Sequence, residues 1–169
     1  MGNLKDAMSK GVNPVMGFID RFTVYPQEDD KRRNTMIKKF TDKYMENVDQ
    51  VRTDISKEHP SYEDIVIAVV RAISPSGDKS GYPDFKHITE IDDGDYQGTL
   101  LYLLPEGCYQ PYRYWYVFVS YGSCSGCDTL QGIRELGDYT EAPTEEQMKD
   151  YMTLALHITQ GIKLLGEEI

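Results

Sequence analysis

The chain has 169 residues, enough for one domain of ordinary size to bury a core without disulfides and too few for two full domains. Lys plus Arg total 18 against 28 Asp plus Glu; the formal charge of -10 and isoelectric point near 4.7 disfavour non-specific binding to nucleic acid or anionic membranes and point to neutral or basic partners. Hydrophobic residues at 40% and 13 Tyr give a globular composition, the odd count of three Cys does not suit a secreted disulfide framework, and no apolar run approaches the ~20 residues of a membrane span. The first twenty residues lack the apolar run of an export signal, so reduced thiols and a cytoplasmic location are expected.

Residues 1–33 hold Gly2, Gly11, Pro14, Gly17 and Pro26 without a sustained period and read as an irregular arm, with a short helix allowed at Asn3 to Lys10. Residues 34–169 read as a single α+β domain. From Asn34, a suitable N-cap, Ile37, Phe40, Tyr44, Val48, Val51 and Ile55 recur every three or four residues, which predicts one amphipathic helix ending before His59-Pro60. Ser61 followed by Asp64 predicts a second helix start. The apolar positions Ile65, Val66, Ala68, Val69, Ala72 and Ile73 make it a core helix, although its β-branched content leaves a buried strand open.

After a Gly/Pro/Ser loop at 76–84 the pattern becomes that of strands. Phe85 to Ile91, Tyr96 to Leu104 and Tyr112 to Tyr121, joined by turns at Asp93-Gly94 and Pro105-Glu106-Gly107, predict a three-stranded antiparallel meander. Thr129 to Leu136, closed by Gly137, predicts a further helix. A last one opens at Thr144 with Gln147 as its capping pair and buries Met148, Tyr151, Met152, Ala155, Ile158, Ile162 and Leu165. The meander would then pack against about four helices.

One segment could carry chemistry: Tyr121-Gly122-Ser123-Cys124-Ser125-Gly126-Cys127-Asp128, between the most apolar strand and a helix. Cys124 and Cys127 have the spacing of a redox pair, with a helix N-terminus to favour thiolate. A thioredoxin-like fold would also need a hairpin and a cis-proline after that helix, where the chain reads as helical. The same thiols could join Cys108 and His87 or His157 around zinc. Yet Cys108 falls near the far end of the strand, ~30 Å away if the strand is straight, and no second close Cys pair exists. As G-x-C-x-G the segment also matches a nucleophile elbow, with Asp138 or Asp150 and then His157 in hydrolase order, but such enzymes need a large parallel sheet. A structural reading has Gly122 and Gly126 permit a tight crossover, Ser123 or Ser125 cap the helix, the cysteines pack as small hydrophobes and Asp128 complement the helix dipole. In a variant of it, the backbone N–H groups of Gly122, Ser123, Ser125 and Gly126 receive a small anionic ligand.

Elsewhere, Glu90, Asp92, Asp93 and Asp95 could hold a hard cation or form a solvated turn. Tyr109, Tyr112, Tyr114, Trp115 and Tyr116 place aromatics on both faces of one strand. If one face is open, Tyr112, Tyr114, Trp115 and Tyr116 are the candidate partner surface. His59 precedes a proline and reads as exposed, and His157 reads as solvated. No cofactor is expected, and the identity of any metal stays open.

The stretches Asp93-Gly94-Asp95-Tyr96-Gln97-Gly98-Thr99-Leu100 and Tyr121-Gly122-Ser123-Cys124-Ser125-Gly126-Cys127-Asp128-Thr129-Leu130-Gln131 resemble a family of uncharacterised tailed-bacteriophage proteins. The resemblance spans the hairpin, the Tyr-rich strand and the following helix, and it implies a phage accessory product of the bacterial cytoplasm with no catalytic residues to transfer. The resulting expectation is a non-enzymatic protein that binds or sequesters a host factor with a basic or neutral surface. Two alternatives are a thiol redox or small zinc protein using Cys124 and Cys127, and a homo-oligomer that sequesters a nucleotide. The acidic residues concentrate at Glu90 to Asp95 and Asp138 to Glu146 rather than in a continuous ladder, which makes DNA mimicry less attractive.

Overall fold

The first helix begins earlier and breaks sooner than the spacing predicts. In the computed structural model, which describes residues 28–56, 58–77, 79–135 and 142–166, helix α1 runs Glu28–Glu46 and α2 runs Val48–Ile55. Its first turns lie inside the stretch read as an irregular arm. Lys31, Arg32 and Arg33 are good helix formers, but without an apolar period the pattern gave them no helical mark. The remaining arm, including the short helix at Asn3 to Lys10, lies outside the described residues. The chain divides into two compact units, 1–32 and 33–169, and the account below concerns the second.

Asn47 causes the break. Its backbone leaves helical geometry at φ -117 and ψ 20. Its side-chain amide donates both to the Lys43 carbonyl at 3.0 Å and to the Ala72 carbonyl at 2.9 Å, tying the end of α1 to the end of the helix that follows α2. That helix, α3 (Tyr62–Ile73), carries the capping box read from the sequence: Ser61 accepts from Asp64 N–H and the Asp64 carboxylate accepts from Ser61 N–H. Its buried residues run from Tyr62 to Ile73 around most of the helix, which is how a nearly all-apolar segment becomes a core helix instead of a strand.

The sheet has four antiparallel strands in the order β1-β2-β3-β4, one more than the sequence pattern predicts: β1 Thr89–Asp92, β2 Gly98–Pro105, β3 Tyr114–Tyr121 and β4 Lys163–Leu164. The extra strand follows α5 (Glu145–Gly161), which begins at a Thr144–Gln147 capping box. At Ile162 the backbone turns extended, Leu164 pairs with Trp115 and Lys163 with Tyr116, and Leu165 N–H donates to the Tyr114 carbonyl at 2.7 Å. Leu165, expected on the buried helical stripe, is therefore exposed beyond the strand. β1 is shorter than expected because Phe85 packs beneath two cations, the Arg71 guanidinium 4.9 Å and the Lys79 ammonium 4.3 Å from its ring, which holds this stretch against α3. Tyr112 likewise precedes β3. Helix α4 (Thr129–Arg134) links β3 toward α5. Its expected end at Leu136-Gly137 lies outside the described residues.

Strand alternation separates two faces. Tyr102, Leu104, Trp115, Val117 and Val119 join Phe40, Tyr44, Val51, Ile65, Val69, Tyr151 and Ile158 in one core. On the opposite face Ile91 pairs with Leu101 and Leu101 with Phe118, Leu103 pairs with Tyr116, and Pro105 pairs with Tyr114. There Ile91 and Phe118 are 50% and 56% exposed, and the Tyr116 and Phe118 rings meet edge to face at 5.3 Å. Among the described residues no helix is long and apolar enough to cross a membrane.

Candidate functional site

β3 ends at Tyr121, and residues 122–128 turn the chain into α4. The turn is made by backbone bonds: Cys127 N–H and Asp128 N–H both donate to the Cys124 carbonyl, at 2.9 and 2.8 Å. Gly122 is a steric requirement, since a Cβ there would lie 2.5 Å from both the carbonyl oxygen and the Sγ of Cys127. Gly126 makes no such demand; its nearest neighbour would be Cys124 Sγ at 4.0 Å. The second tight glycine is Gly132 on α4, where a Cβ would come within 2.9 Å of the Ser125 carbonyl oxygen. Packing between the loop and this short helix thus depends on Gly122 and Gly132.

Asp128, rather than Ser123 or Ser125, caps α4, accepting from Gln131 N–H at 2.8 Å. It is buried, and it also accepts from Gly122 N–H at 3.2 Å and from the Tyr62 hydroxyl at 3.3 Å. The Tyr62 hydroxyl in turn accepts from Leu130 N–H at 3.2 Å, and burial pushes this phenol up to about 12. Of the N–H groups of Gly122, Ser123, Ser125 and Gly126 considered for an anion, that of Gly122 is given to Asp128 Oδ2, and those of Cys124, Cys127 and Asp128 also bond within the loop.

The cysteines do not pack as small hydrophobes: Cys124 and Cys127 are both exposed. Their Sγ atoms are 2.7 Å apart, and Cys124 N–H donates to Cys127 Sγ at 3.1 Å. The Cys127 thiol is held below its usual range by the hydrogen bond from Cys124, which outweighs desolvation and is helped by the Cys124 backbone and by Ser123.

Both stretches singled out by the resemblance meet beside this loop. The Tyr121 hydroxyl donates to Asp92 Oδ1 at 2.8 Å, and this bond, with burial and the neighbouring carboxylates, pushes the phenol up to about 12. In the β1–β2 turn, Asp93 Oδ1 accepts from Thr99 N–H at 2.6 Å and Asp92 Oδ1 accepts from Gly94 N–H at 3.0 Å. Gly94 and Gly98 approach so closely that a Cβ on Gly98 would sit 2.9 Å from the Gly94 Cα. Between the hairpin and α4 lies a cleft of about 250 Å³, lined by residues that include Tyr62, Asp92, Tyr121, Asp128 and Arg134. Arg134, which the pattern did not single out, donates from its guanidinium to the Pro60 carbonyl at 2.9 Å.

The other candidate constellations do not assemble. Among the described residues no group of three His, Cys, Asp or Glu could hold a metal ion, so Cys108, His87 and His157 complete no zinc site with the pair, and the Glu90 to Asp95 carboxylates form no cation cage. His87 instead sits 2.6 Å from Asp84. His157 and Asp150 line a separate cleft of about 340 Å³ between α4 and α5 whose lining contains neither cysteine, and the four-stranded antiparallel sheet is not that of the hydrolases; Asp138 lies outside the described residues. His59 is half-buried rather than exposed, its Nδ1 2.9 Å from the Tyr151 hydroxyl. Of the aromatic stripe, Trp115 is 3% exposed and belongs to the core, whereas Tyr114 and Tyr116 lie half-buried on the open face and Tyr112 is 89% exposed.

The domain is thus an α+β fold with an exposed dithiol loop at one end of its sheet and an open apolar face along it. Compared with known proteins, the chain matches no family model, no curated protein and no solved structure.

Proposed function

We propose that this protein is a phage accessory product of the bacterial cytoplasm that acts without catalysis, by occupying a host protein through the open face of its sheet. The observation that carries the reading is the composition of that face. Thr89 and Ile91, then Thr99, Leu101, Leu103 and Pro105, then Tyr114, Tyr116, Phe118 and Ser120 contain no charged residue, in a chain of net charge -10, and the edge strand β4 adds to this face only Lys163, paired with Tyr116. The three longer strands thus present an apolar centre that no carboxylate interrupts. Tyr and Phe in such a setting are favoured contact residues, because they bury large area with few rotatable bonds. A partner with an apolar patch rimmed by Lys or Arg complements both features, whereas a second copy would bring the same net charge against itself.

The test is a photo-crosslinking amino acid at Phe118, with one at Lys149 on the exposed side of α5 as control, in bacteria producing the protein. The expected result is an adduct with one host protein from position 118 and none from 149. It should weaken as salt is raised and disappear when Tyr116 is replaced by Asp. Crosslinks to a second copy of this chain, or equal adducts from both positions, would overturn the reading. A nucleotide retained by a homo-oligomer in native mass spectrometry would favour sequestration of a small molecule instead.

A further inference from the structure

The loop at 122–128 presents two sulfur atoms for which a binding face has no use. A disulfide needs its sulfurs at about 2.05 Å, and those of Cys124 and Cys127 already touch at 2.7 Å in a solvent-exposed position. This placement is built. Gly122 leaves the space that Cys127 Sγ and its carbonyl occupy, the Cys124 carbonyl collects two N–H groups to fix the turn, and the buried Asp128 anchors the turn to β3 and α4 through Gly122 and Gln131. The two sulfurs are also inequivalent. Cys127 Sγ accepts from the Cys124 backbone N–H and lies against the Cys124 thiol, two donors that favour negative charge on Cys127 and outweigh the Cys124 carbonyl oxygen 3.2 Å from the same sulfur. Cys108, exposed in the β2–β3 connection, has no place in this arrangement.

We infer that Cys124 and Cys127 are a reversible dithiol–disulfide couple that exchanges with low-molecular-weight disulfides, with Cys127 attacking and Cys124 resolving. In the first step the Cys127 thiolate forms a bond to one sulfur of RSSR, and the S–S bond breaks with its electron pair leaving on RS⁻. In the second, Cys124 gives its proton to that thiolate and attacks Cys127 Sγ, forming the intramolecular bond and expelling the second RS⁻, which takes the proton originally held by Cys127. Two protein thiols are oxidised and one RSSR becomes two RSH, so excess thiol drives the reverse. The lowered Cys127 thiol agrees with this order.

The full-length protein is titrated with oxidised and reduced glutathione, alkylated and read by peptide mass spectrometry. The expected product is the Cys124–Cys127 disulfide, with glutathione itself found on Cys108 alone. Limiting iodoacetamide should label Cys127 several-fold faster than Cys108 near neutral pH. The Cys124→Ser variant should accumulate glutathione on Cys127, and in Cys127→Ser the remaining Cys124 should react several-fold more slowly; both side chains are exposed, so circular dichroism should be unchanged. Stable glutathione adducts on both cysteines of the unaltered chain, or Cys127 no faster than Cys108, would overturn the assignment. Crosslinking at Phe118 reports on a different surface, so the two proposals can fail separately.

Discussion

Asp128 holds the loop through two oxygens that do different work. Oδ1 accepts from Gln131 N–H and the Tyr62 hydroxyl, while Oδ2 accepts from Gly122 N–H. An Asn there can keep its oxygen toward Gln131, but its amide then points a donor at the Gly122 N–H. Asp128→Asn should therefore cost about 2 kcal/mol in urea unfolding even though Asn is a good N-cap, and Asp128→Ala about 3 kcal/mol. An Asn variant as stable as the parent would show that the Gly122 bond contributes nothing. At Gly122 itself, Ala must displace Cys127, so Gly122→Ala should lower the yield of intramolecular disulfide under the same glutathione conditions. Cys124 and Cys127 were legible from their spacing. Asp128 was legible only as a helix-dipole residue, because its bonds to Tyr62 and Gly122 are set by tertiary contact, and Gly132 gave no sign of its contact with the Ser125 carbonyl.

The elements with the clearest local marks form as read. Ser61–Asp64 and Thr144–Gln147 each close a capping box within four residues of chain, a signal that needs no distant partner. The helix break at Asn47 and strand β4 have no such mark. The first depends on the Ala72 carbonyl across the fold, and the second is two residues held by Trp115 and Tyr116. Expecting three strands and one unbroken first helix follows from reading local periods alone. Helix α4 offers a test of which force governs a short element. Gly132→Ala gains roughly 0.5–1 kcal/mol of helix propensity, but the new Cβ would sit 2.9 Å from the Ser125 carbonyl oxygen, which is backbone and cannot rotate away. The variant should be less stable than the parent in thermal unfolding; a higher melting temperature would mean that the loop yields readily.

For the molecule as a whole, the acid limb of stability should depend on Asp84. Burial alone would raise its carboxyl pKa, but hydrogen bonds from His87, Lys79 and Lys86 N–H outweigh that, and the net shift is downward. A carboxylate lowered on folding adds stability above its unfolded pKa and loses it as pH falls through the folded value. The stability difference between the parent and Asp84→Asn should therefore be largest near neutral pH and shrink below the ordinary carboxylate range, in urea titrations across pH; a constant difference would count against this account. The open face should behave in the opposite way. Phe118→Asp changes a half-exposed side chain outside the core, so stability should stay within about 0.5 kcal/mol while a pull-down no longer recovers the host protein that the crosslinker at this position captures.

An apolar sheet face exposed to water is ordinarily a hazard, because sheets with such faces stack and their edges recruit further strands into fibrils. Both outer strands here are short: β1 has four residues, including Glu90 and Asp92, and β4 has two. A neighbouring molecule finds little backbone ladder to extend, so the face can offer side-chain contacts without becoming a template for polymerisation. Lengthening β4, or removing the carboxylates of β1, should give a variant that forms thioflavin-positive aggregates under conditions where the parent forms none, and the apolar face stays open only as long as its edges stay brief.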